Sequence, residues 1–564
     1  MGEWLNGGKR IKRKYIVMFL VIWAVQMAAA FYFCVQKQGF HEDEYYTYYS
    51  TARTNGFYVE DGQWMDRDTY RNEFVVLPGQ GFQYGLVKLV QSWDVHPPVY
   101  YWVFHTAASL APGIFSKWTG LAVNLILWGI NIVLLAYLAY AVSGHSEREA
   151  LLVAMFYGLS PAAMSGVVFI RMYEMLTTFV LLCAVLHVQV MEGMRTPAHA
   201  GSTDGWSDGG GFVMKETDRL PVIRFLLPMA AVTYLGFLTQ YYYFIFLFYL
   251  AAGFCLWLLW RDRKIWNCLR YGVSQGIAFA LAYLTYPSCL GQMFRGQRGA
   301  QATENFFDLS NTMQRFQFFC ELLDEYVFGK MLPVFLLLLL ILMVTVYRKW
   351  RMRTTRHGTE SRKACAVIGF AVLGYFLTVS KTALLLGDTS NRYQLPVYGI
   401  IVLLLFRAIH ILWQSVRPAS VSGNGRERYL WAAAAMICLL IDLSGLMSGR
   451  VVFLYPEDRE QIDFAMEREK EGTPAVYLYE PGAEWCIWDV TDELLVYPEV
   501  YFAAADSVDV IADDRIQNAE SLVVYIADGA DRDAQLGRLL DSNPALSGSQ
   551  CVFNEKYCGV YLVQ

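Results

Sequence analysis

The sequence predicts an α-helical polytopic membrane protein of about eleven spans, followed by a small α/β domain. Three observations predict it. Apolar stretches of about 20 residues recur along the chain, the length needed to cross the hydrocarbon core of a bilayer. At 564 residues, 55% hydrophobic and only 17% charged, the composition is too apolar for an ordinary soluble protein. The charge is also divided: from Arg450 onward there are 23 acidic and 8 basic residues, against 28 acidic and 38 basic before it. A basic membrane body therefore precedes an acidic tail, and neither carries the clustered basic and aromatic surface that nucleic-acid binding requires.

Taken in order, Lys9-Arg10-Ile11-Lys12-Arg13-Lys14 precedes the apolar run from Tyr15 to about Cys34. Positive charge stays cytoplasmic, so the N-terminus is expected inside and the first helix exits outward. The small residues Met27-Ala28-Ala29-Ala30 suit a cleaved signal peptide, but the run is longer than a signal core and reads as an uncleaved anchor. A first external loop is expected over 35–118. Within it, 97–112 is too short for a span and opens on two prolines, so it is expected to lie in the interface. Ten further spans follow at about 119–142, 150–169, 174–192, 221–239, 241–260, 268–286, 330–347, 364–384, 395–413 and 429–447. This arrangement leaves the basic stretch Arg348–Lys363 inside, together with Arg261–Lys264, Arg417, Arg426 and Arg428.

The membrane domain is thus expected over 1–448 and an extracytoplasmic α/β domain over 449–564. In the latter, Glu457–Lys470 has helical spacing, while Ala475–Tyr479, Ser521–Ile526 and Val560–Val563 read as strands. Residues 193–220, rich in Gly and Ser, read as a cytoplasmic linker. The external loop at about 287–328 is long enough to be a lid or a plain connection. Of eleven cysteines, six sit in or beside spans; Cys551 and Cys558 flank a turn and are candidates for a disulfide, which sequence cannot assign.

Ionisable residues avoid the span centres, which argues against a proton- or ion-coupled transporter. They gather at external span ends: Glu42-Asp43-Glu44, then His96, Arg171 with Glu174, and Arg392. All face one aqueous edge on this topology. A carboxylate there could take a proton from a weak hydroxyl nucleophile, and cationic groups could stabilise a leaving phosphate. Each has a plainer reading: a solvated cap for the acidic run, snorkelling anchors for Arg171 and Arg392, and a helix cap for His96. The tyrosines of 45–49, Tyr46 among them, suit sugar stacking or an interfacial aromatic belt equally.

The Asp43-Glu44 pair followed by His96-Pro97-Pro98-Val99-Tyr100-Tyr101 resembles the GT-C membrane glycosyltransferases. The nearest group is the bacterial branch of the protein O-mannosyltransferase and aminoarabinose-transferase superfamily (glycosyltransferase family 39-like). Arg171-Met172-Tyr173-Glu174-Met175-Leu176 is similar to an Arg-x-Tyr-x-x-Leu segment of that group. Leu235 to Tyr241 resembles a Leu-Gly-x-x-Thr-His-Tyr motif with Gln240 in place of His, and Arg392-Tyr393-x-x-Pro396 matches a late Arg-Tyr-x-x-Pro motif. The resemblance covers about residues 10–400 and leaves out the tail domain.

The resemblance implies inverting transfer of a sugar from a polyprenyl-phosphate donor to an extracytoplasmic acceptor in the cell envelope. Asp43 and Glu44 would be catalytic, with Asp43 as the base. His96, Arg171 and Arg392 would bind the donor phosphate, and Tyr46, Tyr100, Tyr173, Glu174, Gln240, Tyr241 and Tyr393 the substrates. The lipid-linked sugar is a co-substrate, no metal ligand set is evident, and membrane lipids are the other expected partners. A lipid-linked glycan flippase and a catalytically inactive scaffold are the competing readings. The carboxylates beside basic residues favour the enzyme.

Overall fold

The computed structural model describes residues 11–52, 59–194, 219–350, 359–416, 424–507 and 509–564. Most of the 193–220 linker and half of the Arg348–Lys363 loop, together with Lys9, Arg10 and Arg417, lie outside the described residues.

Each of the eleven predicted spans coincides with a helix, but they are not of one kind. Seven are long and apolar enough to cross a membrane: Arg13–Gln36, Lys117–Val142, Tyr173–Gly193, Tyr242–Arg261, Lys363–Thr382, Leu395–Val416 and Glu427–Met447. The number rises to nine if two bent pairs count as one span each. Val222–Phe237 and Leu332–Arg348 are shorter apolar helices, and with the nine they account for the eleven predicted segments among the described residues.

One bent pair matters for the site. Glu147–Gly158 and Pro161–Val168 meet at 60°. Pro161 has no N–H to continue a helix but suits a first turn, and the Ser160 hydroxyl accepts the Ala163 N–H to cap the new start. The second helix stops after eight residues, Phe169 is extended, and the Arg171 N–H then turns back to the Phe169 carbonyl at 2.8 Å. Asn124, buried in the neighbouring helix, donates to the carbonyls of Val167 (3.3 Å) and Phe169 (2.6 Å) and fixes that exit.

Helices also fill the 35–118 segment, at Glu42–Ala52, Tyr84–Trp93 and Val99–Ser109 among others. The eleven-residue helix Val99–Ser109 is about 16 Å long, half a bilayer core, in keeping with a segment that does not cross.

After the last span the chain builds a six-stranded sheet. Its strands are β1 (Gln63–Asp66), β2 (Ala475–Tyr479), β3 (Glu499–Ala504), β4 (Leu522–Ala527), β5 (Ser549–Asn554) and β6 (Cys558–Val563), in the order β1-β3-β2-β4-β6-β5. β2 runs parallel to both β3 and β4, and the other pairings are antiparallel. β2 and β4 are buried along their whole length, as continuous apolar runs in a covered parallel centre should be. The edge strand β1 comes from the 35–118 segment and pairs with β3, Gln63 opposite Phe502. The sheet is therefore stitched from both ends of the sequence. Cys551 and Cys558 are both free: Cys551 is exposed opposite Tyr561, whereas Cys558 is buried opposite Ala527 of β4, so the candidate disulfide does not form.

Candidate functional site

The helix Glu42–Ala52 starts with a capping device built on His41. The Asp43 N–H donates to His41 Nδ1 at 3.0 Å, and the Glu44 carboxylate reaches back to the His41 N–H at 2.7 Å. This is a capping box with imidazole in the usual hydroxyl role, and three acidic residues in the first turn also suit the helix dipole. Burial first of all, with Arg392, Lys556 and Lys37 adding to it against Asp43, lowers the His41 pKa to about 3. The ring therefore stays neutral, as an acceptor must.

The three adjacent carboxylates are separated by their partners. Glu44 is fully buried and pairs with Lys37 at 2.9 Å, which is also fully buried. Its other oxygen accepts the Ile170 N–H at 2.6 Å. Glu42 accepts from the Tyr557 hydroxyl at 2.6 Å and pairs with Lys556, both in the β5–β6 turn. Asp43 keeps a partly exposed side chain, 28% accessible, and turns it to two arginines. Arg392 Nη1 lies 2.9 Å from its Oδ2 and Arg171 Nη2 lies 3.8 Å from its Oδ1. Burial raises the Asp43 pKa, but Arg392 and then Arg171 outweigh it and hold the carboxyl well below the usual range.

The two arginines differ in what they have left to give. Arg171 Nη1 donates to the Asp43 carbonyl (2.9 Å), the Thr47 hydroxyl (3.1 Å) and the Tyr101 hydroxyl (3.0 Å). Its Nη2 reaches His96 Nε2 at 3.3 Å, while His96 Nδ1 meets Asp94 Oδ2 at 3.0 Å. His96 therefore bridges Asp94 and Arg171 through its two ring nitrogens. Arg392, 3% exposed, donates from Nη2 to the Tyr393 hydroxyl at 3.3 Å. Its Nε and Nη1 make no hydrogen bond among the described residues, because the 2.9 Å approach to Asp43 is not aligned for donation. The guanidinium lies over the rings of Phe169 and Tyr393, at 5.4 and 5.1 Å from their centres. Tyr173 closes the same wall, 6.1 Å from Tyr393.

The structure therefore gathers Asp43, His96, Arg171, Tyr173, Arg392 and Tyr393. Tyr46 belongs at the rim: its ring meets Trp488 at 4.3 Å. Burial, then the carboxylates of Asp94 and Asp43, pushes its hydroxyl up to about 12. The other predicted site residues point elsewhere. Glu44 faces Lys37, as above. Glu174 accepts from Asn131 Nδ2 at 2.7 Å between buried helices and packs so close to Gly166 that any Cβ there would lie 2.5 Å from Oε1. Tyr100 is fully buried beside Tyr101, and it is Tyr101 that reaches Arg171. Gln240 accepts the N–H of Tyr241, whose hydroxyl donates to Gln292 at 2.5 Å. Gln292 in turn donates to the carbonyls of Gln91 and Asp94, so Gln240 and Tyr241 brace the loop before His96. Asp94, Tyr101, Thr47 and Lys37 were not foreseen. Tyr101 carried a signal as the last residue of the His96–Tyr101 motif, and Asp94 as a carboxylate two residues before it.

Among the described residues, no three His, Cys, Asp or Glu side chains converge as a metal set. No family model and no curated protein matches the chain. Solved structures do match. Over 97% of both chains, at 12% identity and a TM-score of 0.50, it superposes on ArnT from Cupriavidus metallidurans bound to undecaprenyl phosphate. The chain has the GT-C fold. The same ArnT in its apo state aligns at 13% identity over 97% of both chains, TM-score 0.49. The archaeal oligosaccharyltransferase AglB from Archaeoglobus fulgidus, in complex with an inhibitory peptide and a dolichol-phosphate, aligns at 10% identity over 94% of this chain and 71% of that one, TM-score 0.42. In this GT-C chain the polar cluster just described lies where the 35–118 segment, the Phe169–Tyr173 turn and the Gly387–Tyr393 turn meet. It is a multi-pass integral membrane protein.

Proposed function

We propose that the protein is a glycosyltransferase that moves a sugar from a polyprenyl-phosphate donor to a hydroxyl-bearing acceptor outside the cytoplasmic membrane. The observation that carries this reading is Arg392: a buried guanidinium with two nitrogens that make no hydrogen bond among the described residues, beside the partly open carboxylate of Asp43. A buried guanidinium with N–H groups left to donate can receive an anion. That the ArnT structure holds undecaprenyl phosphate is in keeping with a lipid phosphate here.

In the proposed step, Asp43 takes the proton of the acceptor hydroxyl as its oxygen bonds to the anomeric carbon. The bond from that carbon to the phosphate oxygen breaks, and the electron pair leaves with the lipid phosphate. Arg392 and Arg171 meet the growing negative charge, with no metal needed. Inversion follows from attack opposite the leaving group. At rest the arginines make Asp43 a weak base, because its pKa is held low. A phosphate that draws Arg392 toward itself relieves that hold and strengthens the base when the donor is present. Tyr173 and Tyr393 offer aromatic faces to the sugar. We place the N-terminus inside, and the sheet and the acceptor outside, from the charge bias of the loops.

The test is transfer itself. Purified protein with a labelled polyprenyl-phosphate sugar and envelope fractions should yield labelled acceptor and free lipid phosphate in equal amounts. Movement of intact donor across vesicles, with no sugar released, would favour the flippase instead. Mass spectrometry of envelope glycans from a deletion strain then identifies sugar and acceptor.

A further inference from the structure

Glu42 is the one member of the acidic run whose partners come from the sheet domain. Its carboxylate receives the Tyr557 hydroxyl at 2.6 Å and the Lys556 ammonium. Both belong to the short turn joining β5 and β6, which is itself held: the Lys556 N–H donates to Asp489 at 3.2 Å, and the Tyr557 ring meets Trp485 at 5.0 Å. Trp488, from the same stretch as Asp489, packs on Tyr46 at 4.3 Å and on Tyr49 at 4.9 Å along the Glu42–Ala52 helix. The domain thus grips the first turn of this helix by charge and its next turn by aromatic contact. The opposite side of that turn is fixed by the membrane body, through Lys37 on Glu44 and Arg171 on the Asp43 carbonyl.

We propose that the β5–β6 turn is a positioning clasp, in which Lys556 and Tyr557 act through Glu42 to set where the Asp43 carboxylate stands. The inference rests on the reading of Asp43 as the proton acceptor. Glu42 and Asp43 are consecutive in one turn, so a shift of the Glu42 backbone carries Asp43 with it. Lys556 is half exposed and no sheet pairing depends on its side chain, so its place in the fold does not explain its contact. The sheet domain is on this account a working part of the site.

The test pairs turnover with amide hydrogen exchange in the full-length protein. Lys556→Ala with Tyr557→Phe should lower kcat by about tenfold to a hundredfold, the cost of a small misplacement. The KM for the lipid donor should stay near wild type, and exchange should speed up in residues 42–52. Lys556→Arg, which keeps the ion pair, should behave as wild type. Unchanged exchange at 42–52, or an unchanged kcat, overturns the clasp. So does an equal loss in donor KM and kcat. Should the double variant also loosen β2 and β4, Tyr557→Phe alone is judged by the same two measurements. If Asp43→Asn transfers sugar as well as wild type, the base assignment fails, while the exchange data still decide whether the turn holds the helix.

Discussion

Arg392 Nη1 stands 2.9 Å from Asp43 Oδ2, yet the guanidinium spends only one hydrogen bond, on the Tyr393 hydroxyl. A pair so close and so loosely bonded is held by charge more than by geometry.

Replacing Arg392 with Ala should weaken binding of a polyprenyl phosphate, and Lys should restore it only in part, since an ammonium lacks the planar fork. Arg171→Ala should cost folding as well as binding, because its Nη1 serves three acceptors. Lipid titration and thermal unfolding of each variant separate the two. Equal lipid affinity in wild type and Arg392→Ala would return Arg392 to a membrane anchor.

Asp43→Asn should reduce transfer by about 10² to 10⁴, the usual worth of a positioned base, with donor binding retained. The pH profile gives an independent check. A carboxyl held below its usual range stays ionised as pH falls, so the acid limb of kcat/KM should lie under about pH 4. In Arg392→Ala, burial is less opposed and the limb should move to higher pH. A limb that stays in place would mean that Arg392 does not govern Asp43.

Lys37→Met leaves the Glu44 carboxylate buried without its counter-ion and should destabilise the protein by about 3–5 kcal/mol. The double variant with Glu44→Gln should lose much less than the two single losses added together. Additive losses would show that the pair is not coupled.

Prolonged dialysis against a chelator should leave turnover unchanged, because the positive charge is assigned to Arg171 and Arg392. Loss of activity restored by a divalent cation would assign part of that charge to a metal.

Cys551 is exposed at the end of the sheet domain. An impermeant thiol reagent should label it in intact cells, and Cys551→Ser should remove that label. Labelling only after permeabilisation would place the domain inside and reverse the topology.

The order of the spans and of the charged motifs was legible because hydropathy and position in the chain are local properties. The convergence of Asp43, His96, Arg171 and Arg392 followed from their shared place at span ends. What each carboxylate faces was not legible. Glu42, Asp43 and Glu44 are chemically alike and adjacent, and their partners lie at Lys556, Arg392 and Lys37. Glu174 looked accessible beside Arg171, but helical geometry turned it toward Asn131. β1 is four residues with no alternation, too short to read as a strand without its partner. Tyr100 and Tyr101 differ by one position, a rotation of about 100° on the helix that begins at Val99.

The pairing of Gln63 with Phe502 also fixes an order of events during synthesis. The ribosome makes about 5–20 residues per second, so β1 emerges tens of seconds before β3 exists. Through that interval the hydrogen-bonding edge of β1 has no native mate, and the helix carrying Asp43 lacks its hold on Glu42. On the clasp reading, the nascent protein cannot take hold of Glu42 until the β5–β6 turn is made. A chain cut short between Met447 and the β5–β6 turn would keep its helices and still be born without the hold on its first loop.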